Sequence, residues 1–282
     1  MSVTTVNVGG RLLDLSAPQT MAIINITPDS FFEGSRNSTD REILDRARKA
    51  LAEGAAVLDL GGYSSRPDAD DVPAGEELSR LDRAFRLIRR EFPDAIISVD
   101  TFRSAVVRAL YDRYGAFIVN DISASELDPE MMPLAGRLGL PYIGMHMRGT
   151  PATMQSLAEY EDVTLEVVRY FVGKTTLARE HGIKDFIIDP GFGFAKTAVQ
   201  NFQLLAGLPQ FSLFGLPLLA GVSRKSMICR TLGITPDEAL NATSAIHWEA
   251  LRGGASLLRV HDVKEAEEVI KLFTTFTSSG AR

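Results

Sequence analysis

The chain has 282 residues, of which 45% are hydrophobic and 23% are charged, proportions that are typical of a soluble globular protein. Its 36 acidic and 30 basic residues give a formal net charge of -6, which argues against a nucleic-acid-binding surface. Cys229 is the only cysteine, so an intramolecular disulfide is excluded and a reducing compartment is favoured.

The N-terminal segment does not have the pattern of a secretion signal. Its letters, MSVTTVNVGGRLLDLS, contain neither a basic start nor a sustained apolar run. The longest apolar stretch, FGLPLLAGV at 214–222, is far shorter than the roughly 20 residues that cross a bilayer. We therefore expect a cytoplasmic protein with no membrane-spanning segment and no nucleic-acid partner.

The first predicted element is a short hairpin. The letters TVNVGGRLLDL, at 5–15, place a Gly-Gly pair between two segments of alternating residues. Such a pair is typical of a tight turn between antiparallel strands. We predict that this hairpin caps the end of the larger fold that follows.

Eight short apolar runs follow along the chain, separated by longer segments with helical spacing. Uninterrupted apolar strands are typical of parallel sheets that are buried on both faces and joined by helical crossovers. The runs predict strands at residues 22–26, 57–60, 96–99, 117–119, 141–145, 186–189, 217–222 and 256–260.

The segments between the runs have the apolar spacing of helices. One helix is predicted to begin at Thr39, because Glu42 follows three residues later as in a capping box. Two other segments each place apolar residues on one helical face. These two stripes are Leu78, Leu81, Phe85, Ile88 and Phe92, and then Val269, Ile270 and Phe273.

This alternation predicts an α/β fold, namely a (β/α)8 TIM barrel with a short N-terminal hairpin. Eight strand–helix units in a chain of this length match the size of such barrels, about 250 residues. An open doubly wound sheet is the alternative architecture. Because no segment resembles a linker, we predict a single domain over residues 1–282.

Polar side chains stand at or just after the end of nearly every predicted strand. In a (β/α)8 barrel these positions converge on one cavity at the C-terminal face, where the chemistry takes place. A single Asp there is more often a helix cap or turn residue, but a ring of polar residues favours a site. The ring is Asn25, Asp59, Asp100, Asn120, His146, Asp189, Ser223, Arg224, Lys225, Arg259 and His261.

The ring combines acceptors with cations. Carboxylates such as Asp100 and Asp189 complement a ligand edge that carries two adjacent N–H groups, and cations such as Lys225 and Arg259 complement an anion. We therefore expect a ligand with a planar, nitrogen-rich head and an anionic tail. Neither zinc-ligand spacing nor an activated nucleophile is evident, but a Mg²⁺ ion held mainly by substrate phosphates would leave such a weak pattern.

Eight motifs, in order along most of the chain, resemble those of the dihydropteroate synthase family of pterin-binding enzymes. Any one of them is weak, but eight in register are highly specific. They are NITPDSF (25–31), GGYSSRP (61–67), SVDT (98–101), NDI (120–122), MHMRGTPATMQ (145–155), DPGFGFAK (189–196), GVSRKS (221–226) and RVHDV (259–263).

The resemblance implies a (β/α)8 barrel that joins 6-hydroxymethyl-7,8-dihydropterin pyrophosphate to p-aminobenzoate, with Mg²⁺ on the pyrophosphate. It also implies a homodimer and inhibition by sulfonamides, which mimic p-aminobenzoate. The reaction needs no strong general base because an arylamine is already neutral at pH 7. This agrees with the lack of a nucleophile and base in the motifs.

Roles for individual residues are carried over from the same resemblance. The pterin would be bound by Asp100, Asn120, Met145, Asp189, Phe194 and Lys225. The pyrophosphate would be bound by Asn25, Arg66, Arg259 and His261, with Mg²⁺ on Asn25, and p-aminobenzoate by Phe31, Ser65, Pro67, Lys225 and Ser226. Catalysis would depend on Lys225, Asp100, Arg259 and His261.

Two loops resemble lids, at residues 28–38 and 63–76, because they are polar and carry Gly and Pro. We expect them to become ordered when pyrophosphate and p-aminobenzoate bind. In the second loop Tyr63 and Ser65 stand where many relatives have Glu and Thr, which puts the affinity for p-aminobenzoate and sulfonamides in question.

Three alternatives remain beside this interpretation. A methyltetrahydrofolate–corrinoid methyltransferase would share the Asp and Asn pattern, but it would not need Lys225 together with Arg259 and His261. A non-catalytic pterin-binding protein would not need the anion site or the lids. Composition alone would also fit an unrelated phosphate-handling barrel.

Overall fold

The structure is a computed structural model that describes residues 4–26, 36–63, 72–150 and 153–280. For residues 36–39 and 155 it describes the backbone but not the side chain. All statements about architecture below refer to these residues.

The predicted hairpin is confirmed. Strands β1 (Thr5–Val8) and β2 (Arg11–Asp14) pair antiparallel around Gly9 and Gly10, whose φ angles of 60° and 94° are accessible to glycine without strain. Its buried side chains pack against residues at or near the start of the later strands, such as Val57 and Ile118. The hairpin therefore closes the N-terminal end of the barrel.

The predicted parallel barrel is also confirmed. In the described residues eight parallel strands form one sheet, in the order β8-β7-β6-β5-β4-β3-β10-β9, and a bridge between Ile188 and Leu218 joins its two edges. The strands are β3 (Gln19–Asn25), β4 (Val57–Gly61), β5 (Ile96–Asp100), β6 (Ile118–Asp121), β7 (Tyr142–Met145), β8 (Phe186–Asp189), β9 (Leu219–Ala220) and β10 (Leu257–Val260).

Strand β9 is much shorter than the predicted strand at residues 217–222. Pro217 has no N–H group to donate to a ladder. The next N–H group, on Leu218, donates to the side-chain Oγ of Ser256 at 3.2 Å instead of to a neighbouring backbone carbonyl. Regular pairing with β10 therefore begins only at Leu219, and it includes Leu219 and Ala220.

Helices surround the barrel in the crossovers between the strands. They are α1 (Arg36–Ala52), α2 (Ala74–Glu91), α3 (Ser104–Tyr114), α4 (Met131–Leu138), α5 (Val163–Glu180), α6 (Ala198–Ala206), α7 (Ser226–Leu232), α8 (Leu240–Arg252) and α9 (Val263–Ser278). The apolar stripes predicted for α2 and α9 face the core, with Leu81, Phe85, Ile88 and Ile270 buried.

The predicted start of the first helix is wrong. The helix α1 begins at Arg36, so Thr39 lies inside it and is not an N-cap. The run RNSTD contains several residues that favour caps, and the spacing between Thr39 and Glu42 does not distinguish among them. Such boundaries are the least certain feature of a pattern in sequence.

The largest apolar cluster lies between the sheet and the helices, where residues such as Phe85 and Phe117 are fully buried. Each such side chain contributes roughly 1.5–3 kcal/mol relative to an exposed one. A smaller cluster follows the C-terminal ends of the strands. It contains Ile122, Met145, Met147, Met154, Phe194 and Ala195.

Within the described residues, no helix is both long enough and apolar enough to cross a membrane.

Candidate active site

The strand register brings the polar residues predicted from the sequence into one layer. Asn25 lies opposite Gly61, Gly61 lies opposite Asp100, and Asp100 lies opposite Asn120 on successive parallel strands. On the other side of the barrel, Met145 lies opposite Asp189. Because these residues are the last or next-to-last of their strands, they surround the C-terminal mouth of the barrel.

Arg259, on β10, is held by two carboxylates of this layer. Its Nε donates to Asp59 and its Nη2 donates to Asp100, each at 2.6 Å. Burial lowers the pKa of Arg259, but the negative charges of Asp59 and Asp100 together raise it above its ordinary value. Arg259 is therefore a fixed cation in the centre of the ring, and Nη1 makes no hydrogen bond to any described residue.

Asp59 connects Arg259 to Asn120. The carboxylate is fully buried, and Asn120 Nδ2 donates to its two oxygens at 3.3 and 3.2 Å. The strand position of Asp59 predicts a place in the ring but no role, because neither motif nor strand position shows which partners Asp59 contacts. The structure adds it as a residue that orients two predicted ligand-binding side chains.

Two carboxylates of the ring are less acidic than usual. Burial raises the pKa of Asp100 to about 7, an effect that Arg259 opposes and Asp59 reinforces. Burial likewise raises the pKa of Asp189, although Gly191 N donates to its Oδ1 at 2.8 Å. Binding of a ligand with N–H groups would compensate this loss of hydration.

Lys225 lies immediately before α7, and its side chain packs against the turn that follows β8. Gly193 has a φ of 82°, and a Cβ atom there would lie 3.2 Å from Lys225 Cδ, so both the backbone conformation and the close contact favour glycine. Lys225 Nζ lies 4.5 Å from the centre of the Phe194 ring. Burial, together with the nearby charge of Arg259, lowers the pKa of Lys225 to about 8.

An apolar wall lies beside these charges. Met145 and Phe194 are 3% and 8% exposed and belong to the same buried cluster at the strand ends. The family resemblance implies that both line the slot for the pterin. The structure brings them together with Asp189 and Lys225, so the slot has apolar faces and a polar edge.

The residues after β9 and β10 are linked to each other. His261 Nδ1 lies 3.1 Å from Ser223 Oγ, and the exposed imidazole stands at the rim of the mouth. Arg224 instead turns away from the ring, because its guanidinium makes a bidentate pair with Asp262 at 2.7 and 2.9 Å. Ser226, the first residue of α7, is exposed.

The space near Asn25 is suited to an oxygen-coordinated cation. A Cβ atom at Gly61 would lie 3.3 Å from Asn25 Oδ1 and 4.0 Å from Asp100 Oδ2, so the glycine leaves room between them. A carboxamide oxygen is a ligand that Mg²⁺ accepts when phosphates and water supply the rest. No group of three or more His, Cys, Asp or Glu suited to a metal occurs in the described residues.

Four predicted site residues, Phe31, Ser65, Arg66 and Pro67, lie outside the described residues, as do most of the two predicted lids. Their predicted roles in binding p-aminobenzoate and pyrophosphate therefore stay predictions. His146, which the sequence placed in the ring, is 3% exposed and its Nδ1 contacts Lys196 at 3.0 Å.

A family model described as pterin binding enzyme matches residues 21–261. The chain is 41% identical to the dihydropteroate synthase of Escherichia coli (strain K12), over 93% of both chains. It is also 41% identical to that of Synechocystis sp., over 89% of this chain and 88% of the relative.

Solved structures show the same likeness. A dihydropteroate synthase of Yersinia pestis in a sulfonamide drug complex superposes with a TM-score of 0.90 and 38% identity, covering 97% of this chain and 99% of the other. The Xanthomonas albilineans dihydropteroate synthase in complex with 7,8-dihydropteroate gives a TM-score of 0.84 and 33% identity, covering 99% and 100%.

Proposed function

Because the chain belongs to the dihydropteroate synthase family of pterin-binding enzymes, we propose that its strand-end site is the centre that makes 7,8-dihydropteroate. The substrates are 6-hydroxymethyl-7,8-dihydropterin pyrophosphate and p-aminobenzoate. The C–O bond to pyrophosphate breaks, the arylamine nitrogen bonds to the same carbon, and the amine loses a proton. The chain is thus a transferase that acts in folate biosynthesis.

One observation carries this proposal. Arg259 is fixed between Asp59 and Asp100 at 2.6 Å from each, and Asn120 donates to the same Asp59 carboxylate. A ring of this kind offers carboxylates to a nitrogen-rich head group and cations to its anionic tail, as the pterin pyrophosphate requires.

The pterin is proposed to lie in the slot beside Met145 and Phe194. There the Asp189 carboxylate would accept the paired N–H groups of the pterin, while Asn120 and Asp100 bind the rest of its polar edge. Lys225, whose Nζ already lies over the Phe194 ring, would donate to the carbonyl side. Burial of the two carboxylates makes each hydrogen bond to the ligand count for more than in water.

The leaving pyrophosphate is proposed to lie at the rim, near Asn25, Arg259 and His261, with Arg66. Negative charge grows on the bridging oxygen as the C–O bond breaks, and Arg259, a cation that Asp59 and Asp100 fix in advance, stabilises that charge without reorganisation. The matching positive charge on the pterin would be stabilised by Asp100 and Asp189. Their catalytic effect is therefore electrostatic, in agreement with the lack of a nucleophile.

Mg²⁺ is proposed as the cofactor, with Asn25 Oδ1 as its protein ligand. When bound with the pyrophosphate, the ion would supply positive charge to the leaving oxygens. The open space beside Gly61 and the single amide oxygen fit an ion that depends mainly on substrate phosphates.

The site for p-aminobenzoate is proposed to include Ser226 and Lys225, together with Phe31, Ser65 and Pro67. Ser226 is exposed next to Lys225, so a second substrate could approach the pterin from that side. We propose that sulfonamides occupy the same place, as p-aminobenzoate mimics.

Assembly and location are further proposals. Helix α9 exposes two large apolar side chains, Leu272 at 65% and Phe276 at 49%, and the half-buried Trp248 of α8 contacts Phe276 with ring centres 5.6 Å apart. Exposed apolar patches of this kind mark interaction sites. We propose this surface as the interface of a homodimer, and a reducing cytoplasm as the location because the chain has a single cysteine.

The proposal is tested by measuring pyrophosphate release from the purified chain with Mg²⁺, each substrate alone and both together. We expect release that requires both substrates and is strongly reduced in Lys225→Ala. Tight binding of the pterin without turnover would instead support a pterin-binding protein or a methyltransferase.

A further inference from the structure

Lys196, which follows the turn after β8, is buried but lies outside the ring of predicted ligand-binding residues. Its side chain is 4% exposed. Among the described residues, no carboxylate lies within the distance of an ion pair to its Nζ. Burying a lysine without a carboxylate partner is costly, so the contacts that it makes in exchange are informative.

The ammonium group of Lys196 has a partner for each of its three hydrogens. It donates to the carbonyl oxygens of Gly191 and Phe194 at 2.9 and 3.0 Å, and to His146 Nδ1 at 3.0 Å. An ammonium has three donors and no acceptor, so its hydrogen-bonding capacity is filled. Burial and the charge of Lys196 lower the pKa of His146 to about 2, which keeps that imidazole neutral and able to accept.

The turn that Lys196 holds, residues 190–195, has a demanding backbone. Gly191, Gly193 and Ala195 have φ angles of 75°, 82° and 48°, and the last is unusual for a residue with a side chain. A Cβ atom at Gly191 would lie only 2.0 Å from the carbonyl oxygen of His146, so the turn packs directly on the chain after β7.

A second residue holds the same turn from helix α6. Asn201 is buried, its Oδ1 accepts from Gly193 N at 2.7 Å, and its Nδ2 donates to the carbonyl oxygen of Lys196 at 3.2 Å. Backbone groups of the turn are thus bound by side chains and not by a regular ladder. Replacing these side chains would release the turn without removing any residue of the ring.

The turn connects three parts of the proposed pterin slot. Asp189 precedes it, Phe194 is part of it, and His146 directly follows Met145 on β7. The hydrogen bonds of Lys196 therefore join the strand that carries Met145 to the turn that carries Phe194. A shift of about 1 Å in such supporting structure can change rates by about 100-fold.

We propose that Lys196 is a positioning residue for the pterin: it fixes Phe194 and Asp189 relative to Met145 through the Gly191 and Phe194 carbonyls and His146. This inference rests on the proposed function, since it assumes that the pterin binds in this slot. Among the described residues Lys196 Nζ bonds the backbone carbonyls of Gly191 and Phe194 and the ring of His146, and none of the side chains proposed to bind the pterin or the pyrophosphate, so it acts through the turn and not on the reacting atoms.

The test compares Lys196→Met with a matched control, Lys184→Met. Methionine keeps most of the volume of lysine but removes the donors, and Lys184 is an exposed lysine just before β8. For each variant we would measure kcat and the KM of both substrates, the affinity for the pterin pyrophosphate alone by calorimetry, and the thermal unfolding midpoint. Assays are run below pH 7, because burial lowers the pKa of Lys196 to about 7.

We expect Lys196→Met to raise the KM and the Kd for the pterin pyrophosphate by about 10-fold or more, with the KM for p-aminobenzoate changed less than about twofold. Lys184→Met should have the same KM values and the same pterin Kd as the wild type. Equal changes in both KM values, or a lower unfolding midpoint with an unchanged pterin Kd, would show a merely structural role and overturn the proposal.

A second variant covers the case in which Lys196→Met does not fold. His146→Leu removes one of the three acceptors while leaving the lysine. We expect a smaller rise in the KM and Kd for the pterin pyrophosphate, about threefold, with the KM for p-aminobenzoate unchanged. An unchanged pterin Kd in folded His146→Leu, with Lys196→Met unfolded, would count against the proposal.

The outcome for the wild type separates this inference from the proposed function. If the wild type binds the pterin pyrophosphate but does not turn it over, the synthase proposal fails while calorimetry still decides the role of Lys196. If the wild type binds no pterin, both fail. If the wild type forms product and the variants show no selective change in the KM or Kd for the pterin pyrophosphate, only the inference about Lys196 fails.

Discussion

Arg259 Nε donates to the buried carboxylate of Asp59 at 2.6 Å, although 200 residues separate the two in the chain. The same carboxylate accepts from Asn120, and the same guanidinium donates to Asp100. Asp59 therefore sets the orientation of two side chains proposed to bind the substrate. Asp59 itself is fully buried.

The change Asp59→Asn tests this orienting role. An amide of the same shape keeps one acceptor but removes the charge that holds Arg259, and a hydrogen bond to a charged group is worth about 1.5–3 kcal/mol. We expect kcat/KM for the pterin pyrophosphate to fall about 10- to 100-fold. Asp112→Asn, at an exposed position of α3, is the control and should have no effect. Wild-type kinetics in a folded Asp59→Asn variant would refute the assignment.

The charge of Lys225 predicts a pH dependence. Burial lowers the pKa of Lys225 to about 8, so the side chain is a cation below that pH and loses its charge as the pH rises through it. We expect kcat/KM for the pterin pyrophosphate to fall above about pH 8. In Lys225→Arg the guanidinium stays charged, so the fall should be absent or moved to higher pH, whatever the absolute rate. If the wild type and Lys225→Arg lose kcat/KM in the same way above pH 8, a group other than Lys225 is responsible for the loss.

The proposed Mg²⁺ ligand gives a prediction about metal concentration. Removal of free Mg²⁺ with a chelator should abolish turnover, and readdition should restore it. Asn25→Ala should raise the Mg²⁺ concentration for half-maximal velocity by about tenfold, since it removes the one protein ligand proposed for the ion. Asn241→Ala, exposed on α8, is the matched control. An unchanged Mg²⁺ requirement in Asn25→Ala would exclude Asn25 as a ligand.

Sulfanilamide provides a test of the second substrate site. If it occupies the place of p-aminobenzoate, it should raise the KM for p-aminobenzoate while leaving the velocity at saturating p-aminobenzoate unchanged. Initial rates over a grid of both concentrations measure this. Inhibition that p-aminobenzoate cannot overcome would place the sulfonamide elsewhere.

The homodimer proposal predicts the effect of a charge in the apolar surface of α8 and α9. Phe276→Glu should shift the chain toward monomers in sedimentation velocity, because burying an unpaired carboxylate in an interface is costly. Val199→Glu changes a residue on α6 that is 67% exposed, and it should leave the sedimentation coefficient as in the wild type. A wild type that sediments as a monomer at all concentrations would contradict the proposal.

The architecture could be predicted from the sequence because strands that are buried on both faces are mostly apolar. The predicted strands at 57–60 and 96–99 differ from β4 and β5 by one residue at the C-terminal end. Asp100 and Asp189 are the last residues of their strands. The exceptions have local causes. Pro217 delays the start of β9, and several residues before Thr39 that also favour caps made the start of α1 impossible to place from the sequence.

The contacts within the site could not be predicted in the same way. Strand position places Asp59, Asp100 and Arg259 at one end of the barrel, but the ion pairs form between residues 159 and 200 positions apart in sequence. Which carboxylate meets which cation depends on barrel closure and side-chain conformation. Lys196 lies in a motif that was recognised, yet no pattern indicated that its three donors hold the turn.

The measurement that tests the central claim most directly follows isotope-labelled p-aminobenzoate into product. The purified chain is incubated with Mg²⁺, the pterin pyrophosphate and the labelled arylamine, and mass spectrometry identifies the labelled species while released pyrophosphate is measured in parallel. We predict labelled 7,8-dihydropteroate in an amount equal to the pyrophosphate released, and none when either substrate is omitted. Pyrophosphate release or pterin binding without labelled dihydropteroate would contradict the account.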